Sequence, residues 1–450
     1  MDTDRRQFLK WSTMFLLYGT GLTLTGCGGK GFMAGALLQP PAQGKAKPLQ
    51  RPAHFNLRDD LCVGFPSPGK AKLQDRLIGF GQITDVHITL EQFKLTGHPE
   101  LEVLLDQFGE SIGFGGLDRP EIQEKFDLDV LRSMVKTLNA SEEMVDFVVH
   151  TGDSVDIGTT PEMIGFLSEM NYLSIPWFQT IGNHDVLGLG NIPPGMLEAF
   201  TDLKFMDKKE FIRKHFPEEG EVRLQEAFGS RAKGFDFSPG AREGIRFEGY
   251  YAFTALPPIA GSGKQIIRPG VRFYVLETVS PRGSAGGALD SAQIQWLRGE
   301  LEKYPAHLAI IVSHHALEAL GSGRSELQSL LLSQPHVIAL VAGHSHLNNI
   351  RAIPSPAGDG QGFWQIQTSS LIDFPQQGRI IEILNNGDGT GSIRTFVFNQ
   401  QVGGQLGKNA RASLASAAMQ RFDGSGSEKD RNVTLMFRMP SWVGSVSDRR

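Results

Sequence analysis

Cysteine is nearly absent: the 450 residues contain only Cys27 and Cys62. Two cysteines build neither a disulfide framework nor a cysteine-based zinc site, so any metal would have to sit on His, Asp and Asn. Positive charge is not in excess either. Lys and Arg number 44 against 49 Asp and Glu, for a formal charge of -5, which leaves no global positive field for a nucleic-acid backbone and argues against specific nucleic-acid binding. A long apolar run is missing as well, because residues 11–24 are too few for a comfortable membrane span. What is present is ordinary globular content, 40% apolar and 21% charged, over a length that allows one large or two average domains with a substantial core.

Arg5, Arg6 and Lys10 precede the apolar run, so residues 1–27 read as a targeting segment that takes no part in the fold. Arg5, Arg6, Phe8, Leu9 and Lys10 resemble a twin-arginine export signal, with Asp4 where that pattern prefers Ser or Thr. Leu24, Thr25, Gly26 and Cys27 resemble a lipobox, in which cleavage before Cys27 leaves that cysteine lipidated. The partners implied are the twin-arginine export machinery and a lipid anchor. The location implied is the periplasm or the outer face of the cytoplasmic membrane. Residues 28–70, rich in Gly, Pro, Ala, Gln and Lys, read as a tether. Residues 71–400 read as the globular domain, and 401–450 as a C-terminal extension whose role the sequence does not disclose.

Within the globular part, short apolar runs at 77–84, 146–151, 177–181, 272–277, 308–313, 337–342 and 363–368 predict strands. Amphipathic patterns at 128–138, 162–173 and 291–303 predict helices, the last capped by Asp290. This alternation points to an α/β sandwich. Residues 88–124 and 186–247 interrupt the rhythm with Gly, Pro and mixed charge and read as insertions beside the site.

Chemistry-bearing residues gather where the predicted strands stop: Asp85 and His87, then Gly152 and Asp153, then Gly182, Asn183, His184 and Asp185, then His314 and His315, then Gly343, His344 and His346. The single-residue spacing of Asp85 and His87 sends both side chains to one side of extended backbone, as one metal ion needs. Taken singly, an Asp or Gly at a strand end is more often a turn or a cap than a ligand. The set reads differently, since six of the twelve histidines fall in these motifs, and open α/β sheets collect ligands at the carboxyl ends of their strands. His54, His98, His215, His307 and His336 lack such company and are assigned no role. His150 reads as a satisfied strand histidine. Mixed carboxylate, amide and imidazole donors suit borderline ions such as Fe, Mn or Zn.

Asp85-x-His87, Gly152-Asp153-x-x-Asp156, Gly182-Asn183-His184-Asp185, His314 and Gly343-His344-x-His346 resemble the five ordered motifs of the calcineurin-like metallophosphoesterase family. The resemblance implies a four-layer α/β/β/α sandwich of two mixed sheets flanked by helices. It implies one metal on Asp85, His87 and His346, a second on Asn183, His314 and His344, and Asp153 bridging them. His315 is the weaker candidate beside His314. The implied reaction is hydrolysis of a small phosphate monoester or diester by a hydroxide that two metals activate, with His184 as the catalytic acid and Asp185 orienting its imidazole. A metal-binding lipoprotein without turnover, or a nuclease, is the alternative. The insertions are longer than that family's compact core carries, which leaves the substrate open.

Overall fold

The computed structural model describes residues 46–62, 75–90, 126–215, 235–241, 247–261, 266–358, 360–400 and 423–443. The export motif around Arg5 and Arg6, Cys27, His98 and nearly all of 88–124 lie outside the described residues.

Two mixed seven-stranded sheets face each other. The first runs Asn56–Arg58, Val433–Arg438, Thr390–Asn399, Gln377–Asn385, Asp75–Ile83, Phe147–His150 and Trp177–Gln179 from edge to edge. The second runs Asn349–Pro354, Gly362–Gln367, Val337–Ala342, His307–Val312, Gly270–Val275, Phe247–Leu256 and Asp236–Ala241. Period-2 side-chain alternation lets the second sheet serve two cores at once. Ile310, Val312 and Val341 face the core between the sheets, while Ala309, Ile311 and Leu340 face the helices Ser291–Lys303 and Arg324–Leu332. The rings of Phe80 and Phe273 meet edge to face across the two sheets with centroids 5.1 Å apart. Helices Asp127–Asn139 and Thr160–Met170 cover the outer face of the first sheet and complete the four layers.

Local sequence explains the helix ends. Asp127 and Asp129 in the first turn and Lys136 in the last complement the dipole of Asp127–Asn139. Thr159 and Glu162 form a capping box on the next helix, and the Asp290 side chain accepts from the Gln293 N–H at 2.9 Å, as expected of an N-cap. Full burial of Leu297 and Leu301 on the last of these helices contributes about 1.5–3 kcal/mol for each side chain.

All seven predicted strands and three predicted helices occur, 337–342 and 291–303 with the predicted ends and the others with ends moved by at most three residues. The structure adds what the pattern did not suggest. Asn56–Arg58, within the stretch read as a tether, pairs in parallel with Val433–Arg438 of the C-terminal extension. Arg51, from the same stretch, reaches the fully buried Glu382 carboxylate, which also takes Arg394 at 2.9 Å. The stretch 186–247 divides in two: Leu189, Leu197 and Phe205 form a small cluster with Ile157 while Met206, Phe211 and Ile212 join the main core, and Asp236–Ala241 is the edge strand of the second sheet.

Candidate metal centre

Parallel pairing aligns the carboxyl ends of Asp75–Ile83, Phe147–His150 and Trp177–Gln179 in one sheet. It does the same for His307–Val312, Val337–Ala342 and Gly362–Gln367 in the other. The loops leaving these ends bring Asp85, His87, Asp153, Asn183, His184, His314, His344 and His346 together, as their positions at strand ends predict. Asp85, His87, Asp153, His344 and His346 all have φ between +48° and +68°, so Asp85 and His87 sit not on the expected extended backbone but on a left-handed one, which costs about 1–3 kcal/mol per non-glycine residue. The packing at Gly182 is as demanding: a Cβ there would lie 2.2 Å from Asp153 Oδ1.

The hydrogen bonds decide which ring nitrogens point inward. His87 Nδ1 donates to Asp156 Oδ1 at 2.8 Å, and His346 Nδ1 to Asp373 Oδ2 at 2.5 Å. With Nδ1 carrying the proton in each ring, the two Nε2 lone pairs face each other at 3.2 Å, and His346 Nε2 lies 3.4 Å from Asp85 Oδ1. The second cluster repeats this logic. His314 Nδ1 donates to the Thr151 carbonyl at 2.8 Å, which turns its Nε2 toward Asn183 Oδ1 at 2.9 Å, Asp153 Oδ2 at 3.2 Å and His344 Nδ1 at 3.2 Å. The Asn183 amide is oriented by donating from Nδ2 to the Gly190 carbonyl at 2.9 Å. Asp153 lies between the clusters, with Oδ2 3.7 Å from His87 Nε2. Acceptors aimed at one another, all nearly or half buried, are stabilised only by positive charge.

In the metal-free chain, protons on two of these rings supply that charge. Burial would raise the Asp85 and Asp153 carboxyls, but the imidazoles around them, His346 and His314 foremost, hold both below the usual range. Burial would likewise lower His314 and His346, yet Asp153 raises the first to about 9 and Asp85 the second to about 10. The donor set therefore fits a pair of borderline divalent ions, and each His with a carboxylate or carbonyl on its outer nitrogen has the supported tautomer of a metal ligand.

One residue plays another part than expected. Asp185 does not orient His184. Its carboxylate accepts from the N–H groups of Gly182 at 2.8 Å, Asp153 at 3.1 Å and Ser154 at 2.8 Å, and so ties two motif loops together. Asn183–Val186 is a helical turn, and consecutive residues on a helix point apart. Asp156 takes the orienting role: its carbonyl receives the His184 Nδ1 proton at 2.6 Å, and its carboxylate holds His87. His315 has atoms near those of His314 and His344, but Nδ1 is engaged by Thr278 Oγ1 at 2.8 Å and Nε2 by the Ala285 carbonyl at 2.9 Å. It backs the His344 ring, with centroids 4.4 Å apart, and offers no lone pair to a metal. His150 is fully buried at the end of its strand and packs against Phe166, but only its Nδ1 is engaged, by the Gly152 N–H at 3.3 Å, and its Nε2 has no hydrogen-bond partner among the described residues, so it is not the satisfied histidine expected.

Asp373 was not foreseen. It follows the strand Gly362–Gln367 by six residues in a run with no histidine, so it reads as a turn former until the fold sets it beside His346.

A family model described as calcineurin-like phosphoesterase matches residues 78–348. No curated protein matches the sequence. Among solved structures, the chain is similar to a dimetal phosphatase from Danio rerio, at 15% identity over 73% of this chain and 100% of that one, TM-score 0.43. It is similar to a calcineurin-like phosphoesterase from Bacillus subtilis, at 10% identity over 78% and 100%, TM-score 0.36. A purple acid phosphatase from yellow lupin aligns at 12% identity over 83% of this chain and 56% of that one, TM-score 0.38.

Proposed function

Because the chain belongs to the calcineurin-like phosphoesterase family, we propose that it hydrolyses a phosphate monoester or diester at the centre built by Asp85, His87, Asp153, Asn183, His314, His344 and His346. The observation that carries this is the set of inward-facing lone pairs, with the His87 and His346 Nε2 atoms 3.2 Å apart and the His314 Nε2 atom among three further acceptors. Asp85, His87 and His346 would hold one ion and Asn183, His314 and His344 the other, with Asp153 shared. Bound there, two divalent ions would supply Lewis acidity toward phosphoryl oxygens and the means to ionise a water near neutral pH.

The chain supplies orientation and a proton. His184 is held by its Nδ1–H on the Asp156 carbonyl, which leaves Nε2 as the atom free to meet substrate. Its side chain is 15% exposed and its ring lies against His87, with centroids 4.6 Å apart. A protonated Nε2 would pass its proton to the departing oxygen, a contribution of about 100- to 10,000-fold. Asp185 keeps the loops of Asp153 and His184 in register. An exported location, drawn from Arg5, Arg6 and Cys27, is part of the same proposal.

The test is hydrolysis of p-nitrophenyl phosphate and its bis ester by metal-loaded protein. The reading expects turnover that chelation abolishes, and His184→Ala with unchanged metal content but turnover lower by about 100- to 10,000-fold. Metal bound without turnover on any ester of a wider panel would leave a metal-binding protein instead, and wild-type rates in His184→Ala would remove that residue from the chemistry.

A further inference from the structure

Residues 423–431 lie beyond the matched family region and 77 or more positions after His346, yet they meet the site. Gly424 is buried between two loops. Its N–H donates to the Phe374 carbonyl at 3.2 Å, and its carbonyl accepts from the Asn348 N–H at 2.8 Å. Phe374 adjoins Asp373, and Asn348 stands two residues after His346. One glycine therefore spans the loop of a candidate ligand and the loop of the carboxylate that orients it. No side chain fits there, since a Cβ at 424 would sit 2.2 Å from the His346 carbonyl oxygen and 2.9 Å from that of Phe374. Gly426, at φ +66°, passes equally close to the Asn348 carbonyl.

The remainder of the segment is anchored from inside. Arg379 is fully buried, and its Nη2 donates to Asn348 Oδ1 at 2.9 Å and to the Asp430 carbonyl at 2.7 Å. Its Nη1 reaches the Arg431 carbonyl at 3.2 Å, and its Nε reaches Thr368 Oγ1 at 3.0 Å. Asp430 Oδ1 accepts from the Ile350 N–H at 2.8 Å, while Oδ2 accepts from the Ser427 N–H at 3.0 Å and closes the turn. A buried guanidinium held by neutral oxygens is worth its desolvation only where those oxygens are kept in place.

We propose that residues 423–431 are a positioning strap for the His346 half of the centre, setting the spacing between His346 and Asp373 and with it the metal affinity of that half. The inference rests on His346 being a ligand. Widening the contact at Gly424 moves the His346 backbone relative to Asp373, and a disturbed partner of a ligand weakens metal binding by about 10- to 100-fold.

The test is zinc titration of the full chain against a competing chromogenic chelator, alongside thermal unfolding of the metal-free protein. Gly424→Ala should weaken one of two sites by about 10- to 100-fold and leave the other unchanged. Asp430→Ala, a gentler loosening of the same turn, should weaken the same site by a smaller factor. A strap with only a stabilising role would lower the unfolding midpoint and leave both affinities intact, and that result overturns the proposal. His346→Ala separates the two readings: it must remove one site outright. If it does not, the ligand assignment fails, whereas loss in His346→Ala with wild-type affinities in both strap variants sinks the strap alone.

Discussion

Asp373 gives the sharpest prediction, because nothing local in the sequence marks it. Its side chain is 8% exposed, and its carboxylate takes the His346 Nδ1 proton at 2.5 Å. Its backbone is independently fixed, with the N–H on Ser370 Oγ at 2.9 Å and the carbonyl accepting from Gln376 at 2.8 Å, so a substitution changes the side chain and leaves the loop. Hydrogen bonds to a carboxylate are roughly twice as strong as neutral ones. Removal of a ligand's partner costs about 10- to 100-fold in metal affinity, or about 1.4–2.7 kcal/mol. Asp373→Asn keeps an acceptor and loses the charge, so it should lose about 10-fold at the His346 site, while Asp373→Ala should approach about 100-fold. Chelator competition on stripped and reloaded protein measures both, with circular dichroism to verify folding. Wild-type affinity in both variants would show that this carboxylate does not support the ligand.

Two further outcomes are expected. Burial holds His307 down to about 4, against an ordinary value near 6.5, so the folded chain binds fewer protons than the unfolded one between those values and stability falls as pH drops through that window. Urea midpoints should decline less from pH 6.5 to pH 4 in His307→Phe than in wild type, and an equal decline would refute the assignment. Replacing both Arg5 and Arg6 by Lys should leave active, metal-loaded precursor inside the cell, because a site spread from Asp85 to His346 forms only after folding. Normal export of that variant, seen by fractionation, would end the argument for folded export.

The motifs were legible because each packs its chemistry into at most five consecutive residues at the end of a short apolar run, and such runs read as strands. Residues whose role depends on distant partners were not. Glu382 sits fully buried in the strand Gln377–Asn385 because Arg51, Arg76 and Arg394 converge on it from three remote segments. In sequence, Arg379 and Glu382 break the apolar alternation and conceal the strand that joins the first sheet's two halves. The pairing of Asn56–Arg58 with Val433–Leu435 joins positions almost the full chain apart, and no local periodicity encodes it. Asp185 misled for a simpler reason: the family resemblance implied that it orients the neighbouring His184, but a helical turn sends neighbours in different directions.

The left-handed backbone at Asp85, His87, Asp153, His344 and His346 also bears on where this centre can exist. Five such residues at about 1–3 kcal/mol each sum to about 5–15 kcal/mol, which is the whole net stability of an ordinary domain. The two sheets and the core between them must over-determine these loops by that margin. The seven donors grafted onto a smaller scaffold with matching positions would relax into ordinary backbone and lose their convergence. Engineering the activity into another protein would mean moving both sheets, and miniaturising this chain would be limited by the framework long before it was limited by the donors.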